Sequence, residues 1–342
     1  MTRSARRLYR YLAWLVGSAI VVAAACFALN CLVDPLWYLR GNILTGINYP
    51  FNERFAKTNR FFADPTAYDC LIIGTSRATL MPARDIKGYR CFNFAFSDAH
   101  VSEELLYARY LRARGIAPKL IIVDVRREDF IGPEAEPVVP DFIRTNADPP
   151  SILLSYLSLD VLNFSIRTLQ GDAPHHRYYD QNFEAQLEVR SAKRRYKPVL
   201  APMPPPTDVH PERAAQYIEL RQMFPEARAI GYLPPESAWI IAGLNLVGGL
   251  DAYLGGIFKV AAAYDDFRDF AIPSAMTESL DGTYDGTHYS SATNAIVAAA
   301  LIADKPDPGI DWHGQELATI VDLYHQRLER FTAGLNKKTP SG

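Results

Sequence analysis

The sequence predicts an α/β fold: a doubly wound, parallel sheet preceded by one N-terminal transmembrane helix. Three observations predict it. The apolar runs Cys70–Ile73, Arg90–Phe96 and Lys119–Val125 have the continuous character of strands buried on both faces. Between the second and third, Val101 to Arg114 sets Leu105, Leu106, Ala108 and Leu111 on related faces of an amphipathic helix, with Gly115 as its C-cap. Strand and helix alternating at this spacing mark βαβ units. Upstream, the run from Tyr11 to Val33 contains no charge and is about as long as a bilayer core requires.

Residues 1–10 carry Arg3, Arg6, Arg7 and Arg10 ahead of the apolar run, and Asp34 follows it. This asymmetry assigns 1–10 to the cytoplasm, 11–33 to a membrane anchor and the body to the other side, with Trp37 and Tyr38 at the outer interface. A cleaved signal peptide is the alternative, and the length of the stretch favours an uncleaved anchor. Residues 34–66, with prolines and aromatics, read as an irregular juxtamembrane segment. The α/β domain is expected over 67–333. Its first strand is followed by a turn and a short helix after Ser76. An inserted segment or lid over the sheet edge is expected at about 131–225. It holds a helical stretch near Ile152 to Leu169, His175 and His176 in a polar loop, a basic run (Arg190, Lys193, Arg194, Arg195, Lys197) and the proline-rich stretch Pro198 to Pro211. Ala229–Pro235 reads as a fourth strand ending at the functional rim, Leu250–Ala263 as a helix, Phe267–Ile272 as a short fifth strand and Ala292–Ile302 as a closing helix. Residues 334–342 read as a disordered tail.

The chain has 342 residues, 49% hydrophobic and 22% charged, with a formal net charge of −2. Such a composition excludes a disordered chain and gives no basic face for nucleic acid. Once the anchor is set aside, about 300 residues remain, enough for one large domain or one domain with an insertion. Cys26 and Cys31 lie in or beside the apolar run. Cys70 and Cys91 open two strands expected to be neighbours, and either a bridge or two buried thiols fits that placement.

Two segments carry chemistry. Asp69-Cys70-Leu71-Ile72-Ile73-Gly74-Thr75-Ser76-Arg77 is an apolar run that ends in a tight turn and presents a serine at its tip. Asp285-Gly286-Thr287-His288 sets an acid three residues before a histidine, so one loop can supply a base and its orienting carboxylate. Together they can form a Ser-His-Asp device, with Ser76 as nucleophile, His288 as base and Asp285 as its partner. Gly74-Thr75-Ser76 lacks the glycine-rich fingerprint of a nucleotide-binding loop.

The order Ser, Asp, His, with the last two three residues apart near the C-terminus, resembles the SGNH (GDSL-like) hydrolase superfamily over about Asp69 to Ala303. Gly74-Thr75-Ser76 stands where that family has Gly-Asp-Ser. The likeness is to divergent, membrane-anchored bacterial envelope members associated with O-acetylation of alginate and similar surface polymers. The resemblance implies a flavodoxin-like sheet, and esterase or O-acyltransferase chemistry through an acyl-Ser76 intermediate. It implies a cell-envelope glycan or acylated small molecule as substrate, with the catalytic domain on the periplasmic side of the bacterial inner membrane. For a transferase it implies a partner membrane protein that supplies the acyl group. No metal, organic cofactor or nucleic acid is implied, and His175 and His176 lack metal-site spacing.

The resemblance also assigns oxyanion donors. The first is the Ser76 amide. The second is an amide after the second strand, where Asp98 falls near the family's glycine. The third is an asparagine after the third strand. Asp124-Val125-Arg126-Arg127-Glu128-Asp129 has none, so Arg126 or Arg127 would take its place. Asn93 is expected to brace loops, and Arg77 to bind an anionic substrate group or pair with Asp98. Tyr284 and Tyr289 either stack on sugar rings or serve as packing. The basic run from Arg190 to Lys197 is either a solvated face or a contact for an anionic polymer or lipid headgroups. The altered second and third blocks leave a rival: a non-catalytic glycan-binding or assembly component that retains the fold.

Overall fold

The computed structural model describes residues 3–172, 177–187, 196–304 and 307–338. In chain order its regular elements are α1 (Arg3–Val33), α2 (Glu53–Ala63), β1 (Cys70–Ile73), β2 (Cys91–Asn93), α3 (Val101–Ala113), β3 (Leu120–Asp124), α4 (Asp141–Arg144), α5 (Ile152–Tyr156), α6 (Leu159–Gln170), β4 (Arg177–Tyr179), β5 (Ala185–Leu187), α7 (Ala214–Gln222), β6 (Arg228–Leu233), α8 (Ala238–Leu246), α9 (Leu250–Ala261), β7 (Asp266–Asp269), α10 (Ser291–Leu301), β8 (Ile310–Asp311) and α11 (Leu317–Lys338). His175, His176, Arg190, Lys193, Arg194, Arg195 and residues 339–342 lie outside the described residues.

The chain divides into two units: residues 1–63 with 148–183, and residues 64–147 with 184–342. The segment expected to form one insertion, 131–225, is therefore shared between them. In the first unit α1 is long and apolar enough to cross a membrane, and its helix already includes Arg3 to Arg10. Its terminal carbonyls, which a helix cannot satisfy internally, accept from Asn48 Nδ2 at Val33 (3.1 Å) and Asp34 (3.0 Å). Residues 34–66 are not irregular throughout. Asn52 caps α2 by accepting the Phe55 amide at 3.2 Å, and Ala56, Lys57 and Phe61 are buried. The prolines behind the irregular reading, Pro35, Pro50 and Pro65, all lie outside α2.

The second unit holds a six-stranded sheet in the order β2-β1-β3-β6-β7-β8, parallel except for the antiparallel edge strand β8. β1 and β3 are buried along their whole length, the pattern of central strands covered on both faces. The chain order reverses between β1 and β3. In open α/β sheets this is the place where the strand ends leave a crevice. Cys70 and Cys91 are register partners in the β1–β2 ladder and form a disulfide, closing the question that spacing alone had left open.

Four helices of this unit, α4, α7, α8 and α11, were not anticipated. α8 follows Pro234-Pro235, which mark a loop in sequence. α11 buries Ile320, Tyr324, Leu328 and Phe331 along one stripe, and it continues through residues 334–338, which had read as tail. The end of β7 holds this helix: Asp269 Oδ2 accepts from Tyr324 Oη at 2.8 Å and Trp312 Nε1 at 3.1 Å.

Replacing both Cys70 and Cys91 with alanine reopens a loop 21 residues long. On chain entropy, the variant is expected to be about 3 kcal/mol less stable, read as a lower denaturant midpoint for the sheet unit.

Candidate active site

The site begins with a close approach of two strand ends. A Cβ at Gly74 would lie 2.4 Å from Asp124 Cβ and 3.0 Å from Ala78 Cβ, so only glycine fits where β1 leaves the sheet. Thr75 is tied to the end of β3: its hydroxyl donates to Asp124 Oδ2 at 2.6 Å and its amide to the same oxygen at 3.2 Å. Thr75 Oγ1 accepts the Arg77 amide (3.3 Å), and Thr79 Oγ1 donates to the Ser76 carbonyl (2.7 Å). The turn is thus fixed on both sides of Ser76. Burial pushes the Asp124 carboxyl up, while the Arg77 charge and the Thr75 bonds pull it down.

The 283–290 loop supplies the other two residues. Asp285 Oδ1 accepts the amides of Thr287 (2.9 Å) and His288 (2.8 Å), an Asx-type turn. Thr283 Oγ1 donates to the His288 carbonyl (2.8 Å) and accepts the Gly286 amide (2.9 Å). Gly286 has φ +91°, and a Cβ there would meet Tyr196 Oη at 2.5 Å. The loop carries His288 Nε2 to 2.7 Å from Ser76 Oγ, and sets His288 Nδ1 2.7 Å from Asp285 Oδ2. Partial burial pushes the Asp285 carboxyl up. The hydrogen bond and charge of His288, with the two amides, outweigh burial and hold it well below the usual carboxylate range. An ionised carboxylate only accepts, so Nδ1 is the donor to Asp285, and in the neutral ring Nε2 then presents its lone pair to the Ser76 hydroxyl.

Around this triad the strand ends are joined by charge. Arg77, 8% exposed, reaches Glu128 Oε2 at 2.5 Å and Glu236 Oε1 at 3.9 Å. Arg127 binds both oxygens of the buried Glu236 at 2.9–3.1 Å and donates to Glu128 at 2.9 Å. Arg126 donates to the Ala99 carbonyl (2.6 Å) and to Glu128 (3.3 Å). Burial works against an ionised Glu128, but the charges of Arg77, Arg127 and Arg126 hold its carboxyl well below the usual range. Arg77 therefore pairs with Glu128 and Glu236, not with Asp98. Arg126 and Arg127 are committed to internal acceptors.

Asn93 braces the turn after Ser76, donating to the carbonyls of Ala78 (2.8 Å) and Met81 (3.0 Å). Phe94 and Phe96 extend the β2 pairing to the carbonyls of Ile72 (2.7 Å) and Gly74 (2.9 Å), which brings the following turn alongside the serine. There Asp98 adopts φ +55°, a conformation glycine favours. Its carboxylate is turned to solvent, 86% exposed and 3.4 Å from Arg126. Tyr284 stacks on the His288 ring and Tyr289 is buried. A cavity of about 520 Å³ adjoins the triad loop, with Tyr196, Met203, Trp239, Ile240 and Arg127 among its walls. Among the described residues, no group of three or more His, Cys, Asp or Glu side chains is placed to hold a metal ion.

Sequence reading missed Asp124, Thr75, Glu128 and Glu236. The signals available were Glu128 beside Arg126-Arg127, and Glu236 just beyond the fourth strand. Fold and site define the class: an α/β protein with a hydrogen-bonded Ser-His-Asp constellation at the strand ends of a parallel sheet. No protein-family model matches the chain, and neither does any curated protein.

Glu236→Ala leaves Arg127 buried with half its partners gone and is expected to destabilise the protein by about 3 kcal/mol, read as a lower unfolding midpoint. The Asp285 carboxyl is depressed in the fold, so its contribution to stability is full above the unfolded value of about 4 and is lost as pH falls below it. Acid titration of unfolding should show that loss in the parent protein and a smaller one in Asp285→Asn.

Proposed function

We propose that the protein is a membrane-anchored, SGNH-like serine esterase or O-acyltransferase acting on the acyl esters of a cell-envelope polysaccharide. The observation that carries this reading is the continuous chain Ser76 Oγ–His288 Nε2 and His288 Nδ1–Asp285 Oδ2, each link 2.7 Å. The parallel strand order, 2-1-3-4-5 when β6 and β7 are counted fourth and fifth, is that of flavodoxin-like sheets. Ser76 follows the first strand, as in the SGNH family. The apolar α1 suits an anchor in a bacterial inner membrane, and the arginines before it favour a cytoplasmic N-terminus. The Cys70–Cys91 disulfide fits an oxidising periplasm for the catalytic unit.

In the proposed reaction, Ser76 Oγ attacks the acyl carbonyl carbon while His288 Nε2 takes the hydroxyl proton. Asp285 stabilises the resulting imidazolium. The negative oxygen of the tetrahedral intermediate lies toward the backbone amides of Ser76 and Asp98. The left-handed turn at Asp98 suits that role, and its carboxylate already points to solvent. Collapse breaks the ester bond, and His288 returns the proton to the departing alcohol, leaving acyl-Ser76. A water molecule or a glycan hydroxyl, deprotonated by His288, then releases the acyl group. Water makes the protein an esterase; a hydroxyl, with an acyl donor delivered by a membrane partner, makes it a transferase.

A non-catalytic envelope component is favoured by one observation: Asn93, Arg126 and Arg127 are engaged within the protein, so none of these three stands in for the family's asparagine. Fluorophosphonate labelling of the full chain in detergent separates the readings. The proposal expects adduct formation that is absent in Ser76→Ala and slower by about 100-fold or more in His288→Ala. Folded parent protein that takes no label would favour the non-catalytic reading.

A further inference from the structure

The end of α1 does not pass into a free linker. Asn30, buried on α1, donates to the Tyr156 carbonyl at 2.9 Å and accepts from Ser165 Oγ at 2.7 Å. Phe27 meets the Tyr156 ring edge-on, with centroids 6.5 Å apart. Helices α5 and α6 therefore lie against the last two turns of α1. The loop after α1 folds back as well. Asp34 accepts the amides of Tyr38 (2.9 Å), Leu39 (3.0 Å) and Gly41 (2.6 Å), and the Ile43 amide donates to the Leu32 carbonyl at 3.1 Å.

These two segments leave large apolar side chains uncovered. Ile43 is 64% exposed, Leu44 50%, Leu153 56%, Leu154 70%, Leu157 43% and Leu159 77%. Residues 152–159 carry no charge. Their depth follows from the helix they touch. The charge-free run from residue 11 to 33 spans about 34 Å at helical rise, and Phe27 lies about 9 Å from its end. That is the level at which acyl chains give way to headgroups, where apolar side chains of interfacial helices reside.

We propose that Ile43, Leu44 and the leucines of α5 and its junction with α6 form a collar sunk into the leaflet at the C-terminal end of α1, a second membrane contact that adds to the spanning helix. The occupant is lipid, because the collar is continuous with the helix that crosses it. The proposal rests on the reading of α1 as a membrane anchor. Its consequence is that the first unit sits at a fixed height and tilt on the bilayer.

The test uses the full chain with Cys26→Ala and Cys31→Ala in lipid nanodiscs, carrying a bimane label at Leu154→Cys, Leu159→Cys or, as the anchor reporter, Val22→Cys. Doxyl-labelled lipid and aqueous iodide are the quenchers. Doxyl lipid is expected to remove on the order of half the emission at all three positions, with iodide ineffective. Quenching of Val22 by lipid alone, with Leu154 and Leu159 quenched by iodide or by neither agent, overturns the collar while leaving the anchor intact. Iodide would mean that the collar faces water, and neither agent that protein covers it. Failure of lipid to quench Val22 brings down the anchor and the collar together.

Discussion

Everything at the site depends on how closely β1 and β3 approach where they leave the sheet. Gly74 has no room for a side chain against Asp124, so the chain must turn there. Thr75 then spends both its amide and its hydroxyl on the Asp124 carboxylate. The residue after this clamp is Ser76, which is held at the rim by backbone geometry before any catalytic partner is considered. Such pre-positioning is what a serine hydroxyl needs, since it has little reactivity of its own and depends on a base held at hydrogen-bond distance. The long 283–290 loop makes up the rest. It folds around its own acid: Asp285 organises the loop backbone with one oxygen and the His288 ring with the other.

Buried charge imposes the second constraint. Three arginines crowd the ends of β1 and β3, and each would be costly out of water without a carboxylate. Glu128 and Glu236 answer that need, and in doing so they join the exits of β1, β3 and β6. Arg126 adds the exit of β2 through the Ala99 carbonyl. The same commitment explains why these guanidinium groups do not offer themselves to a substrate. In the proposed reaction, transition-state stabilisation would then fall mainly on backbone amides, and the left-handed turn at Asp98 is the one offered for that role.

Sequence made the Asp285–His288 pair legible because its geometry is short-range, an acid and a histidine three residues apart in one turn. Ser76 was legible as a serine just past an apolar strand, but its meeting with His288, 212 positions away, was readable only through the family resemblance. The central strands were legible locally as well, as continuous apolar runs at βαβ spacing. What remained hidden depends on distant parts of the chain. The pairing of Arg77 with Glu236 joins residues whose proximity only the sheet order creates, and Asp98 had looked as good a partner. The division of residues 131–225 between two units rests on contacts such as Asn30–Ser165, 135 positions apart. α2 and α8 were obscured by prolines just ahead of them. α11 carries a regular apolar stripe, Ile320, Tyr324, Leu328 and Phe331, whose helical spacing is legible in the sequence.

The central claim is that Ser76 is an activated nucleophile that accepts an acyl group. The most direct measurement is intact-protein mass spectrometry of the full chain, acid-quenched after brief exposure to an activated aryl ester, with peptide mapping of the adduct. A mass increase equal to the acyl group, located on the peptide that contains Ser76, is the expected result. An unmodified mass from folded protein, or an acyl group found only on surface lysines, would contradict it.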